Sequence, residues 1–204
     1  MPRLEPVDPA ITDQETRQLM LTVAEQFGVV PNMVRTMGHS QAVLKAYLGF
    51  GAALAGGSLP ARLLEQIALA VAEANDCAYC LAVHTASGRA VGLSDEAILD
   101  SRRGRSPDSK EEAVLQFARA LVAERGRGRE RDLARLRRAG YGEGQIAEII
   151  AAVALNVFAN YFNIAAGTDV DFPPVRPLPD PDGRPHPSPS EPSPADGTNG
   201  RAPG

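Results

Sequence analysis

The sequence predicts an all-α protein, a compact helical bundle followed by a proline-rich tail. Apolar residues recur at intervals of three and four in several segments, capping signals precede those segments, and no segment alternates with a period of two. Apolar residues make up 44% of the 204 residues, which is enough for the core of one domain. The net charge of −4 argues against a nucleic-acid-binding protein.

Capping residues divide the first half of the chain into short helices. Thr12–Glu15 is the signal of a capping box that opens the first long helix, and Ser40 is expected to cap a later one. Ser58 is expected to cap the next helix, with Pro60 in its first turn. That helix carries an apolar stripe formed by Leu63, Leu64, Ile67, Ala68 and Val71.

The second half continues in the same way. Asn75-Asp76 is expected to cap a helix that runs to about Val91, and Ser94 to cap a short one. Ser109–Glu112 has the pattern of another capping box. A basic helix should end near Gly140. The close spacing of these helices favours a compact bundle.

The most apolar stretch, Ile146–Ala166, is close in length to a membrane span. It is interrupted by Glu148 and by three asparagines, Asn156, Asn160 and Asn163. A helix that is apolar almost all round is more often a core or subunit-interface helix of a soluble protein. We therefore expect no membrane partner, and a homo-oligomer in which this helix is covered.

The chain is expected to divide into a helical domain, residues 1–172, and a disordered tail, Pro173–Gly204. Eleven of the 32 tail residues are prolines, which favour extended polyproline II conformations and bury little apolar surface. His186 lies in this tail. The N-terminus has no apolar segment of the secretory type, so a cytoplasmic location is expected.

Arginines cluster at Arg102–Arg105 and Arg125–Arg138. The expected role is a solvated turn and a solvated helix face, and the alternative is a patch for an anionic partner.

The segment Asn75–His84, "NDCAYCLAVH", contains both cysteines of the chain and one of its three histidines. On one helix, Cys77, Cys80 and His84 share a face, because positions 0, 3 and 7 lie within about 60° of one another. The first turn of a helix stabilises a thiolate, and the spacing of three lets the two sulfurs form a disulfide. His84, one turn further on, can move the proton that thiol chemistry requires.

Three interpretations of these residues remain open from the pattern alone. They are a redox centre, a set of buried core residues, and a zinc site. Zinc would need a further ligand, for which the nearby candidates are His39, Glu65, Glu73 and Asp76. A thioredoxin-type site is excluded, because no strand precedes the motif.

The preceding helix adds two acids, Glu65 and Glu73, among apolar neighbours. A carboxylate on the apolar side of that helix would be partly buried, and so would need a partner or have a shifted pKa. A salt bridge or a solvated edge is the competing interpretation, and it is favoured for Glu73.

Glu65, eleven intervening residues, and then Cys77-x-x-Cys80-x-x-x-His84 resemble the signature of alkyl hydroperoxidase D, in the carboxymuconolactone decarboxylase superfamily. The similarity is strongest between about Gln41 and Val122. Further stretches, among them "NYFN", resemble an uncharacterised peroxidase-related branch. The resemblance implies an all-helical fold that oligomerises through helices, and reduction of hydroperoxides by thiols.

The resemblance also implies roles for the residues. Cys80 would be the peroxidatic cysteine, Cys77 the resolving one, and Glu65 with His84 the proton relay. The reductant would be an external dithiol, of the lipoyl type in some members, and no metal, haem or flavin cofactor is needed. The decarboxylases of the superfamily lack the cysteine pair, which argues against their chemistry here.

One residue departs from the family pattern, and one physical argument conflicts with the roles that the resemblance implies. Tyr79 stands between the cysteines where alkyl hydroperoxidase D has a histidine. The helix N-terminus alone would favour Cys77 as the attacking thiol, whereas the resemblance favours Cys80, and we follow the resemblance. The alternative functions are a non-catalytic thiol redox sensor and a Cys/His metal site.

Overall fold

Nine α-helices account for most of residues 1–179, the part of the chain that the computed structural model describes. They are α1 (Gln14–Phe27), α2 (Asn32–Met37), α3 (Gln41–Ala55), α4 (Ala61–Ala74), α5 (Ala78–Ala90), α6 (Asp95–Arg102), α7 (Ser109–Ala123), α8 (Glu130–Arg138) and α9 (Glu143–Ala166). A 3₁₀ turn, Pro9–Ile11, precedes α1, and residues 1–179 contain no strand. The prediction of an all-α fold is confirmed.

Helix α4 lies at the centre of the bundle and packs against α5, α6, α7 and α9. Leu69, Ala70, Val71 and Ala72 are buried in succession, so this helix is covered on every side rather than along one stripe. The small alanines let the neighbouring helices approach closely. Functional side chains on α4 are therefore held by a rigid element.

Two apolar clusters form most of the core. The larger joins α4 to α7 and α9, and its members include Ile67, Val114, Phe117, Ile149 and Val153. The second contains both cysteines and joins α5 to α1, α2, α3 and α9 through residues such as Met20, Met33, Met37, Leu44 and Leu81. Helix α9 contributes to both clusters, so it ties the cysteine region to the rest of the bundle.

Helix α9 has one buried and one exposed side. It is long and apolar enough to cross a membrane by length and composition, but core helices of soluble proteins pass the same test. Its buried side packs against α3, α4, α5, α7 and α8. On its outer side Ile150, Phe158, Tyr161 and Ile164 are exposed, Tyr161 by 60%. The expectation of a core or subunit-interface helix is confirmed for the buried side, and a subunit interface on the exposed side stays a prediction.

Ser40 and Ser94 are the N-caps of α3 and α6, as predicted, each accepting a backbone N–H three residues ahead. Two other helices begin differently. The side chain of Asp13 caps α1 and that of Asp108 caps α7. The first predicted capping box therefore began one residue too early, at Thr12, and the second one residue too late, at Ser109. A carboxylate accepts from the free N–H groups more strongly than a hydroxyl does, and it also complements the helix dipole.

Ser58 does not cap α4, contrary to the prediction; Pro60 occupies the N-cap position. The backbone N–H and the hydroxyl of Ser58 donate to the carboxylate of Glu148 on α9, over 2.8 and 3.0 Å. Leu59 N–H donates to the same carboxylate. Glu148, which the sequence showed as an interruption of the apolar stretch, therefore binds the loop between α3 and α4.

Residues 172–178, the C-terminal strap, form no helix or strand and lie against the helices. The strap is held where Arg102 Nη2 donates to Arg176 O and Leu178 N donates to Glu73 Oε1, both over 2.7 Å. Phe172 packs edge-on against the rings of Phe27 and Tyr79. The predicted tail started at Pro173, and its remainder, residues 180–204 with His186, lies outside the described residues.

Arg102 is buried, contrary to the expectation that residues 102–105 form a solvated turn. Its Nε donates to Glu73 Oε2 over 2.6 Å, and both side chains are less than 9% exposed. Its backbone carbonyl accepts from Arg119. By contrast, Arg137 on α8 forms exposed ion pairs with Glu130 and Glu143, as expected for a solvated helix face.

Candidate thiol redox site

The turn between α4 and α5 sets the position of the first cysteine. Helix α4 ends in a Schellman motif, in which Cys77 N–H donates to Ala72 O and Asp76 N–H donates to Glu73 O. Asp76 takes the left-handed conformation that this ending requires, with φ of 53°. Asn75 Nδ2 donates to Asn160 Oδ1 over 2.9 Å and fixes the turn to α9. The predicted cap Asn75-Asp76 therefore ends α4, and Cys77 itself is the N-cap of α5.

Cys77 and Cys80 lie at disulfide bonding distance, with Cα atoms 5.3 Å apart. The Sγ atom of Cys77 also accepts the backbone N–H of Cys80 over 3.3 Å. Both residues are buried, with exposed fractions of 1% and 3%. A free helix N–H and the N-terminal dipole stabilise negative charge on sulfur, so this end of α5 is suited to thiol chemistry.

Asn163, on α9, contacts the second cysteine. Its Nδ2 donates to Cys80 Sγ over 3.4 Å and to Met33 Sδ over 3.0 Å. The asparagine is 3% exposed, and its Oδ1 has no hydrogen-bond partner among the described residues. In the sequence, Asn163 was noted only as an interruption of the apolar stretch, and the contact with sulfur was not foreseen.

His84 and Glu65 form a hydrogen-bonded pair next to the cysteines. His84 lies one turn beyond Cys80 on α5, and its Nδ1 is 2.8 Å from Glu65 Oε2 on α4. The side chains are 19% and 22% exposed, so the pair is partly reached by solvent. When Nδ1 carries the proton that Glu65 binds, the other ring nitrogen of a neutral imidazole is an acceptor. Such a pair is able to take up and release a proton.

Tyr47, on α3, is a further group near this pair that the sequence did not single out. Burial, and then the charge of Glu65, raise the pKa of the Tyr47 phenol to about 12. Its ring lies 6.3 Å from the ring of Phe158, centroid to centroid. Tyr47 therefore stays neutral over the physiological range and links the site to the outer side of α9.

Tyr79 occupies the position between the two cysteines and is buried. Its hydroxyl accepts the backbone N–H of Met33 over 3.1 Å, and its ring packs on Phe172. Burial raises the pKa of Tyr79. The hydrogen bond from Met33 opposes this shift, and the charge of Asp171 adds to it. This tyrosine joins the cysteine turn to α2 and to the C-terminal strap.

The zinc interpretation finds no support in this arrangement. No group of three or more His, Cys, Asp or Glu side chains in residues 1–179 is placed to hold a metal ion. Of the candidate ligands, His39 Nε2 lies 2.8 Å from Glu5 O, and Glu73 is paired with Arg102. Cys77 and Cys80 are instead bonded to each other at the start of α5, and Glu65 and His84 are hydrogen-bonded to each other between α4 and α5.

Comparisons with known proteins identify a family model and solved structures that this chain resembles. Residues 41–124 match the model of the carboxymuconolactone decarboxylase family. A similar solved structure is an uncharacterized peroxidase-related protein with an alkylhydroperoxidase AhpD core from Ralstonia eutropha JMP134. It is 25% identical, with a TM-score of 0.75 over 83% of this chain and 92% of that one. No curated protein sequence matches the chain.

Two further structures share the fold at lower identity. An uncharacterized peroxidase-related protein from Silicibacter sp. TM1040 is 22% identical, with a TM-score of 0.71 over 84% of this chain and 92% of that one. The debrominase Bmp8, in complex with 2,3,4-tribromopyrrole, is 20% identical, with a TM-score of 0.73 over 82% and 91%. At these identities the similarity establishes the fold alone.

Proposed function

We propose that this protein is a thiol-dependent peroxidase, because it has the AhpD-like fold and its residues 41–124 match the carboxymuconolactone decarboxylase family. The observation that carries the proposal is the Cys77–Cys80 pair at the start of α5 with the bonded Glu65–His84 pair one turn away. Thiol, resolving thiol and proton-transfer group are the three parts that peroxide reduction requires.

In the first step, the Cys80 thiolate attacks the terminal oxygen of a hydroperoxide. An S–O bond forms and the O–O bond breaks, so that sulfur gives up two electrons and becomes a sulfenic acid. The departing alkoxide takes a proton from the His84–Glu65 pair and leaves as the alcohol. In the second step, Cys77 attacks the Cys80 sulfur, the disulfide forms, and water leaves.

An external dithiol then restores the enzyme. One of its thiolates attacks the Cys77–Cys80 disulfide, and its second thiol resolves the mixed disulfide, which yields the oxidised dithiol and two enzyme thiols. The depth of the pair, with both cysteines at most 3% exposed, favours a slender reductant such as a lipoyl group over a folded protein. No metal, haem or flavin takes part in these steps.

The assignment of Cys80 as the attacking thiol rests on its neighbours. His84 follows Cys80 by one helical turn, and the Asn163 amide donates to its sulfur. Cys77 has the helix N–H instead, which favours its thiolate as the group that attacks the sulfenic acid. Both sulfurs thus have a donor suited to a thiolate in one of the two steps.

The outer side of α9 supports a homo-oligomer. Exposed Ile150, Phe158 and Tyr161 border an apolar cleft of about 400 Å³ between α7 and α9. Contiguous apolar patches of this kind are uncommon on monomers, and a second copy of the chain is the proposed occupant. Sedimentation of the protein and of Phe158→Glu tests this: the variant should dissociate, and a parental monomer would contradict it.

A redox sensor is the second candidate, because the near-complete burial of both cysteines is also what a slow, single oxidation would require. Steady-state assays with a hydroperoxide and dihydrolipoamide separate the two functions. The peroxidase predicts many turnovers, lost in Cys80→Ser. A single oxidation per chain, with no turnover by any dithiol, would favour the sensor. Debromination of 2,3,4-tribromopyrrole, assayed in the same series, tests the activity that the name of Bmp8 gives.

A further inference from the structure

Three buried asparagines on α9 have different partners, and one of them faces the sulfur chemistry. Asn156 Nδ2 donates to Ala152 O in its own helix, and Asn160 accepts from Asn75. Asn163 donates to two sulfur atoms, those of Met33 and Cys80. The first two contacts stabilise the helix and the α4–α5 turn. The third places an amide on the atom at which peroxide is to be reduced.

The surroundings of Asn163 cost stability in the disulfide form. Thioether and disulfide sulfurs are weak acceptors, and the Oδ1 atom is buried without a hydrogen-bond partner among residues 1–179. A buried polar atom left unpaired carries a desolvation penalty that an apolar side chain of the same shape does not carry. An unpaired buried group of this sort calls for an explanation in another state of the protein.

We propose that Asn163 is a catalytic residue of the peroxidase, which stabilises the Cys80 thiolate and then holds the sulfenic acid that forms on it. The inference rests on the proposed function. In the reduced protein the Nδ2–H group donates to the thiolate, which is a much stronger acceptor than a disulfide sulfur. After oxygen transfer the new S–O–H group supplies the donor that Asn163 Oδ1 lacks.

The same amide therefore serves two successive states with its two ends. Its donor end lowers the free energy of the attacking thiolate, and its acceptor end orients the sulfenic acid. Oxygen and electrons move as in the proposed cycle: the hydroperoxide is the oxidant and Cys80 is oxidised. Asn163 itself exchanges no proton, so its contribution differs from that of His84 and Glu65.

The test compares Asn163→Leu with Asn156→Leu. Asn156 is also buried on α9, at 9% exposure, but no hydrogen bond of its side chain reaches sulfur in the described part of the chain. In a Cys77→Ser background the ultraviolet absorbance of the thiolate reports Cys80 alone. Asn163→Leu should move its titration midpoint to higher pH by about one unit and slow oxidation by hydroperoxide about tenfold. Asn156→Leu should change neither.

The titratable groups around Cys80 stay in place in both leucine variants. They are His84 on α5, Glu65 on α4, Tyr47 on α3 and Tyr79 beside the cysteine. A shift specific to Asn163→Leu is therefore assigned to the amide. An unchanged midpoint and an unchanged oxidation rate in a folded Asn163→Leu protein would overturn the inference.

A second measurement needs no change at Asn163. In protein labelled with ¹⁵N-asparagine, the side-chain amide protons of Asn163, identified by their contact with the Met33 methyl group, should titrate together with the thiolate absorbance. An amide signal that is insensitive to thiolate formation would overturn the inference. Absence of peroxidase turnover in the parental protein, with both titrations as predicted, would instead refute the proposed function and leave the thiolate contact standing.

Discussion

Glu65 and Glu73 both lie on α4, and their partners give the two carboxylates different chemistry. Glu65 is 2.8 Å from His84, and both side chains are about one-fifth exposed. Glu73 is 2.6 Å from Arg102, and both are less than one-tenth exposed. An imidazole exchanges a proton near neutral pH, whereas a guanidinium stays charged. The first pair can transfer protons, and the second cannot.

The difference shows what separates a carboxylate suited to catalysis from one suited to structure. The Glu65 pair has a partner that changes protonation state and partial access to solvent, and it stands beside the cysteines. The Glu73 pair binds the C-terminal strap through Leu178 N–H and Arg176 O. Helix α4 thus carries a carboxylate suited to proton transfer, Glu65, near its first turns, and a carboxylate that binds the strap, Glu73, at its end.

The largest expected effect is the loss of peroxide turnover when Glu65 is replaced. Glu65→Gln keeps the shape of the side chain but cannot shuttle a proton, so peroxide turnover should fall by about 10²–10⁴-fold with little loss of stability. The measurement is kcat/KM with a hydroperoxide and a dithiol. Glu73→Gln is the matched control and should retain most activity below its melting temperature. Equal losses in the two variants would remove the distinction.

The free energy of unfolding, by contrast, is expected to depend on Glu73 rather than on Glu65. Glu73→Leu leaves the Arg102 charge buried without its partner, which typically costs about 3–5 kcal/mol of unfolding free energy. Denaturant unfolding should detect this loss, while Glu65→Gln should change the free energy little. The double variant Glu73→Leu/Arg102→Met removes both charges and should regain most of the stability. Stability unchanged in Glu73→Leu would show that the pair is not a clamp.

Truncation tests the contribution of the strap. Deleting residues 172–204 removes two hydrogen bonds to the buried ion pair and the Phe172 ring, and should cost about 2–4 kcal/mol. Deleting residues 180–204 should leave the melting temperature nearly unchanged, because none of the strap contacts is lost. The losses from the longer deletion and from Glu73→Leu should be less than additive, since they remove shared contacts. Full additivity would mean that the strap and the ion pair are independent.

The smallest effect concerns Tyr47, whose pKa of about 12 is raised first by burial and then by the Glu65 charge. A raised pKa means that the neutral phenol is favoured by folding. Its contribution to stability is present below pH 10, the ordinary value, and is lost as the pH rises through about 12. Tyr47→Phe should therefore weaken the alkaline fall in stability, and Glu65→Gln should lower the Tyr47 titration midpoint. An ordinary phenol midpoint near 10 would contradict the burial of this side chain.

Much of the fold could be predicted from the sequence, because apolar periodicity and turn residues act locally. The helices from α3 to α9 follow these patterns, and two serine caps were correct. The cap of α5 was not predicted, because Asn75-Asp76 serves the end of α4 and Cys77 takes the cap position. Propensity alone does not decide which of two adjoining helices uses a polar turn.

The site could be predicted only in part. Helical spacing placed Cys77, Cys80 and His84 on one face, and the family resemblance added Glu65. Asn163 could not be found in this way, because its contact with Cys80 joins residues 83 positions apart. The same holds for the burial of Arg102, which depends on Glu73 and on the strap. Contacts between distant segments follow from packing, which local patterns do not encode.

The most direct test of the proposed peroxidase is to treat the reduced protein with one equivalent of hydroperoxide and analyse it by mass spectrometry. The account predicts loss of two hydrogens per chain, a peptide linked through Cys77 and Cys80, and one equivalent of alcohol. In Cys77→Ser, the product should be a sulfenic acid on Cys80 that dimedone traps. Two free thiols after treatment, or oxidation of the cysteines without a link between them, would contradict the account.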